Sequence, residues 1–254
     1  MCMYNIEEEA RLKELCNESP ELNQLISSLT SENKFLISRI THEIRNPLTL
    51  IFSTLQLIQS KNSSLASMPY WHSIMEDMKD LFLLLEQLSN YNQSDVLTSE
   101  PTDLGKLLMD LVVSFHSVAQ LNENTLTVKL LDGSHPYIDN YTCDYIKLKQ
   151  VFTNIIKNAI EAVDKKGHIT ITAFPPKQTP KGAYLIISIA NDGPPIESDD
   201  MSNIFTPFIT TKAGGTGLGL ATANRIVISH GGYIEVVSDK TGTEFSIHLP
   251  LACI

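Results

Sequence analysis

His42 is followed directly by Glu43 and, four residues on, by Asn46, with Pro47 next in line. A neutral imidazole presents a nucleophilic nitrogen, and a neighbouring carboxylate that holds Nδ1–H leaves the Nε2 lone pair outward. Asn46 comes one helical turn after His42 and shares its face. A second set is Asn154, Asn158 and Glu161, which gather on one side of a helix whose other side carries Phe152, Ile155, Ile156, Ala159, Ile160 and Val163. Two amides at that spacing offer oxygens to a hydrated Mg²⁺, a cation that prefers hard oxygen ligands and substrate phosphate. Third, Gly215-Thr216-Gly217-Leu218-Gly219-Leu220 opens a helix, where glycines let backbone N–H groups close on phosphate oxygens at the positive helix end. Asn191-Asp192-Gly193-Pro194-Pro195 is by itself a turn sequence. Taken singly, these are also what a solvated histidine, a wet helix face and a tight turn look like.

The elements that must position these residues are written in the apolar spacing. Ile37, Ile40, Ile44, Leu48, Ile51, Leu55 and Ile58 recur every three or four residues, one stripe of a long helix that the Ser63-to-Pro69 stretch ends. Trp71, Ile74, Met78, Leu81, Leu85 and Leu88 form a second stripe, closed by the polar Asn90-to-Thr98 segment and Pro101. Together they predict a helical hairpin. With Ile37, Ile44, Ile51 and Ile58 at heptad position a, His42 falls at position f, facing solvent, and Pro47 predicts a kink beside it. Two helices hide two such stripes less well than four, so a symmetric homodimer built on a four-helix bundle is expected, against the alternative that the hairpin packs on its own chain. Residues 1–27, acidic and interrupted by Pro20, read as a frayed helical lead-in, 28–97 as the hairpin domain and 98–254 as a mixed domain.

In that last stretch, helices over 103–120, 145–163 (capped by Asp144) and 218–229 alternate with strands over 125–131, 168–174, 183–190, 233–238 and 243–249. The fold class is therefore α+β: an antiparallel helical hairpin followed by an α/β sandwich with helices on one sheet face. With 43% hydrophobic and 19% charged residues the chain builds packed cores. Nineteen basic against 29 acidic residues, a formal charge of −10, is the wrong sign for wrapping a phosphate backbone, so nucleic acid is not expected as a partner. No apolar run approaches the roughly 20 residues of a membrane span. The start, Met1-Cys2-Met3-Tyr4 leading into Glu7-Glu8-Glu9, lacks the basic and apolar parts of a secretion signal, and a cytoplasmic location is expected. Cys2, Cys16, Cys143 and Cys253 lie far apart with no C-x-x-C pair.

Several stretches resemble one family. Ser38-Arg39-Ile40-Thr41-His42-Glu43-Ile44-Arg45-Asn46-Pro47-Leu48 is similar to the H-box of two-component sensor histidine kinases, and Gln150 to Ala162 to their N-box. Ile204-Phe205-Thr206-Pro207-Phe208 with Thr210-Thr211-Lys212 resembles the F-box and the lid over the triphosphate, and Gly242-Thr243-Glu244-Phe245 the last glycine motif. The motifs run in family order from Asn33 onward. The resemblance implies a dimerisation and phosphotransfer domain over 28–97 and an ATP-binding catalytic domain over 98–254. It implies that His42, oriented and deprotonated by Glu43, takes the γ-phosphoryl group of ATP and passes it to an aspartate on the receiver domain of a response regulator. Asn158 is assigned to Mg²⁺, and Lys212 to the γ-phosphate. Asn154, Asn158, Asn191, Asp192, Gly193, Gly215, Thr216, Gly217, Leu218 and Gly219 complete the implied nucleotide contacts, with Gly214 and Gly215 as lid hinges. Asn46 implies a water-positioning group for dephosphorylating the regulator.

Two departures from the family pattern carry information. Relatives that hydrolyse ATP, of the gyrase type, have a glutamate where this chain has Asn154, and an amide cannot act as a general base toward water. The usual D-x-G-x-G reads here with Asn191 at the first Asp and Pro195 at the second Gly. Either Asn191 takes over the contact to the adenine amino group, which keeps the register, or Asp192 does so by a small shift. Two other classes compete: a phosphotransfer scaffold of the same architecture with impaired ATP binding, and a chaperone- or topoisomerase-type ATPase, which Asn154 and the H-box disfavour.

Overall fold

The computed structural model describes residues 19–179, 182–212 and 214–251. Most of the 1–27 lead-in, with Cys2 and Cys16, and also Cys253, falls outside the described residues. Helix α1 spans Pro20–Lys61, 42 residues, with Ser19 as its cap accepting from Leu22 N at 3.4 Å. Pro20 stands in the first turn, where its missing N–H is one the helix cannot satisfy anyway. It therefore starts a helix rather than interrupting one, and α1 begins well before Ile37. The helix also continues across Pro47. A 3-10 turn, Ser63–Ser67, leads to α2, Pro69–Asn92.

The two helices form the antiparallel hairpin. Phe52 and Phe82 meet edge to face at 5.6 Å, and Asn92 Nδ2 donates to the Lys34 carbonyl at 2.8 Å. Met78 and Leu85 are buried, yet Ile44, Ile51 and Leu81 remain 45, 50 and 44% exposed. One hairpin covers only part of its own apolar surface. The chain divides into two compact units between Gln93 and Ser94.

In the second unit β1 (Glu100–Thr102) pairs antiparallel with β3 (Tyr141–Cys143). The main sheet holds β2 (Thr125–Leu130), β4 (His168–Thr179), β5 (Gly182–Asn191), β6 (Tyr233–Asp239) and β7 (Gly242–Pro250) in the order β2-β4-β5-β7-β6. β2 and β4 are parallel and the other neighbours antiparallel. The helices are α3 (Leu104–Leu121), α4 (His135–Ile138), α5 (Tyr145–Ala162), α6 (Ser198–Met201) and α7 (Gly219–Ser229).

Alternation turns Ile169, Ile171, Leu185, Ile187, Ile189, Phe245, Ile247 and Leu249 to one sheet face, where they form a single core with buried residues of α3, α5 and α7. This is a two-layer sandwich. α3 has the length and composition of a membrane-crossing helix, but its Leu104, Leu107, Leu108 and Leu111 are buried in that core.

β4 runs further than alternation predicts, through Pro175 and Pro176. Its pairing with β2 ends at Ala173, and its register against β5 shifts between Phe174 and Lys177. The prolines thus sit at a bulge with no strand on their outer side, which is where a strand tolerates them.

Candidate active site

His42 and Asn46 are both exposed on α1. Glu43, expected to orient His42, instead accepts from Arg39 Nε at 2.9 Å, one turn back on the same helix. Successive side chains diverge by about 100° around a helix, so the neighbouring arginine at i−4 is better placed for the carboxylate than the imidazole at i−1. An exposed pair of this kind is held weakly, by about 0.3–0.5 kcal/mol.

The second cluster is built along α5, against which α7 packs. Asp144 caps α5, its Oδ1 accepting from Lys147 N at 3.0 Å and its Oδ2 from Thr98 N at 2.8 Å. Burial works against the charged carboxylate, but these backbone hydrogen bonds and the positive groups nearby hold Asp144 below the usual carboxylate range. The Asp144 N–H donates to His230 Nε2 at 3.1 Å, and His230 Nδ1 lies 2.8 Å from the Ile226 carbonyl at the end of α7. Farther along α5, Asn154 Nδ2 donates to the Gly219 carbonyl at 2.9 Å. Lys212 Nζ donates to Asn158 Oδ1 and to Glu161 Oε2, each at 2.7 Å. The structure thus brings Asn154, Asn158, Lys212 and Gly219 together, and adds Glu161, which the sequence placed on the same face without a partner.

α7 begins at Gly219 with no side-chain cap. Its first-turn N–H groups therefore form a positive end unclaimed by a capping residue. Gly217 has φ 67°, and a Cβ there would lie 2.7 Å from Ile209 N and O, so the segment before α7 closes on itself only with glycine. At Gly219 a Cβ would meet nothing nearer than the Asn154 side chain at 3.9 Å.

The donor set suits a divalent cation. Asn158 Oδ1 and Glu161 Oε2 converge on a positive group, the Lys212 ammonium. Among the described residues no cluster of three or more His, Cys, Asp or Glu could hold a metal. A Mg²⁺ ion here would take the rest of its shell from water and phosphate.

The third cluster lies at the end of β5. Asn191 is buried and its Nδ2 has no hydrogen-bond partner. Asp192 is engaged: Oδ1 accepts from His168 N at 2.7 Å, and Oδ2 lies 2.8 Å from His168 Nδ1. Partial burial raises the cost of the Asp192 charge, but the His168 hydrogen bonds outweigh it and hold the carboxyl below its usual range. Of the two residues the sequence left open, Asn191 is the one without a partner. A Cβ on Gly193 would overlap the Ala162 carbonyl at the end of α5. Thr243, buried, stands opposite Asn191 on β7 with its Oγ1 2.7 Å from Ser238 Oγ. The sequence quoted Gly242-Thr243 as a motif but gave Thr243 no part; its cross-strand register was the missing signal.

A cavity of about 450 Å³, whose lining includes no residue of the second or third cluster, lies on the opposite sheet face, against Phe174, Ile186, Glu235, Ser246 and His248. There His248 stacks on Tyr233 at 4.3 Å with Nε2 3.1 Å from Glu235 Oε2 but out of hydrogen-bond alignment.

Residues 143–252 match the family described as histidine kinase-, DNA gyrase B-, and HSP90-like ATPase. Sporulation kinase C of Bacillus subtilis (strain 168) is 30% identical over 246 residues, which is 94% of this chain and 54% of that protein. The solved catalytic domain of histidine kinase ThkA, in a nucleotide-free form, is 31% identical, with 60% of this chain and 97% of that one covered at a TM-score of 0.52. Full-length ShkA in complex with AMPPNP shares the fold at a TM-score of 0.71 and 23% identity, covering 86% of this chain and 46% of ShkA. The second unit is thus an α/β sandwich of the ATPase type common to histidine kinases and gyrase. Through its likeness to the ThkA catalytic domain, the chain belongs to the histidine kinase family. It spans about half the length of the curated relative named above, 54%.

Proposed function

We propose that this chain is an ATP-dependent protein histidine kinase core that autophosphorylates His42 and passes the phosphoryl group to an aspartate of a response-regulator receiver domain. Residues 28–97 would be the dimerising phosphotransfer domain and 98–254 the ATP-binding catalytic domain. The observation that carries this reading is that α5 holds both the uncapped start of α7, through Asn154, and Lys212, through Asn158, in a chain that also exposes His42 within its H-box.

In this reading the first-turn N–H groups of α7 hold phosphate oxygens. Asn158 would hold Mg²⁺, which supplies charge neutralisation on the phosphates. Lys212 leaves Asn158 and Glu161 and meets the γ-phosphate as a mobile point charge. His42 Nε2 attacks the γ-phosphorus in line; the N–P bond forms as the bond from phosphorus to the ADP oxygen breaks. The Nδ1 proton goes to Glu43 once Arg39 releases it. Asn154 supplies no base for water, so transfer to a positioned nucleophile dominates over hydrolysis. The apolar stripe left exposed on one hairpin supports a homodimer. The formal charge of −10 favours protein over nucleic acid as partner, and the use of ATP and a receiver domain supports a cytoplasmic reaction.

Incubation with γ-labelled ATP tests this. Acid-labile, base-stable label on the protein, abolished in His42→Gln, is expected; free phosphate without protein label would indicate an ATPase, and neither would indicate a scaffold. Asn46 supports a second activity, dephosphorylation of the regulator. Asn46→Ala is expected to keep autophosphorylation and slow regulator dephosphorylation at least tenfold; an unchanged dephosphorylation rate rules that role out.

A further inference from the structure

We infer that Asn191 makes the base pocket tolerant of 6-oxo purines, so that inosine-type triphosphates serve beside ATP. The inference rests on the reading above, in which Asn191 faces the purine 6-position. Three observations support it. Asn191 is buried at 6% exposure, and its Nδ2 has no partner. The neighbouring carboxylate of Asp192 is tied to the His168 backbone and ring, so it does not stand in for Asn191. The wall behind the amide is backbone: Gly193, where a Cβ would overlap the Ala162 carbonyl and lie 2.9 Å from Asn191 Nδ2.

A carboxylate at this position would offer acceptors only. It pairs with the 6-amino group of adenine and repels the carbonyl oxygen of a 6-oxo purine, leaving two acceptors face to face. A primary amide carries one acceptor and one donor, exchanged by a half-turn about the last side-chain bond. Among the described residues no protein hydrogen bond holds Asn191 Nδ2 in its present orientation. Oδ1 outward accepts from a 6-amino group; Nδ2 outward donates to a 6-oxo group. The reacting end is unaltered: the same bond between γ-phosphorus and the β,γ-bridging oxygen breaks, and the nucleoside diphosphate leaves.

Displacement of fluorescent trinitrophenyl-ATP from the full chain by ATP and by ITP tests this without requiring turnover. ITP lacks the 2-amino group of GTP and isolates the 6-position. ITP is expected to compete within about tenfold of ATP on the native chain. In Asn191→Asp the gap is expected to widen to about 100-fold, because an unpaired acceptor then faces an acceptor. Displacement by ATP in the variant itself shows that it is folded. ITP failing on the native chain where ATP succeeds, or an unchanged ratio in Asn191→Asp, overturns the inference. Failure of both nucleotides on the native chain overturns the ATP-site reading and this inference with it.

Discussion

Gly217, two residues before α7, and Gly219, its first residue, look alike in sequence but answer to different constraints. Gly217 is required by the protein itself, through its positive φ and the close Ile209 backbone. Gly217→Ala should cost about 1–2 kcal/mol of stability in the second unit as well as nucleotide affinity. Gly219 has room for a methyl group against the protein. If its small size serves phosphate approach instead, Gly219→Ala leaves the thermal midpoint unchanged or slightly raised while nucleotide affinity falls at least tenfold. Thermal unfolding and nucleotide displacement on both variants separate the two roles. At this scale the shared helix face of Asn154 and Asn158 was legible from residue type and spacing. Glu43 was not, because adjacency in sequence hides the competition from Arg39 one turn away. Glu161 was not, because its partner Lys212 comes from a segment of irregular backbone that periodicity does not describe.

The elements hold the site through a few polar ties, and one of them titrates. His230 links α7 to the cap of α5 by accepting from Asp144 N and facing the Ile226 carbonyl. Burial is the largest influence on its ring and pushes the pKa below the ordinary 6.5, although the Ile226 hydrogen bond and the Asp144 charge act the other way. The folded unit therefore binds fewer protons than the unfolded chain below that value. The stability supplied by neutral His230 is complete above the ordinary pKa and is lost as pH falls toward the depressed one. The thermal midpoint should fall between pH 7.5 and pH 5.5, and His230→Gln should flatten that slope while lowering the midpoint at pH 7.5. His248, also pushed down chiefly by burial, leaves a residual slope of the same sign. Long elements with repeated periodicity were readable: the two stripes, the α5 face and the five strands of the main sheet. The β1–β3 pair was not, because three residues are too few for alternation to register. Nor was the start of α1, since Pro20 reads as an interruption unless its place in the first turn is seen.

At the scale of the molecule, the exposed seam on the hairpin and the closed core of the second unit make opposite demands. The sandwich buries its apolar residues internally, whereas Ile44 and Ile51 wait for a partner surface; each is only about half exposed, so covering the rest is worth about 0.7–1.5 kcal/mol. Ile44→Lys with Ile51→Lys should convert the expected homodimer to a monomer by light scattering, without moving the unfolding transition of the second unit. A dimer that persists would show that another surface holds it together. The extension of β4 past its last pairing with β2 has a different kind of consequence. An unpaired strand margin is ordinarily a template on which another chain can add its own strand and begin to aggregate. Pro175 and Pro176 carry no backbone N–H, and the bulge beside them bends the strand away from a straight ladder. The outer margin of β4 past Ala173 is therefore a poor template for a second molecule's strand, and the strand extends without offering a ready seed.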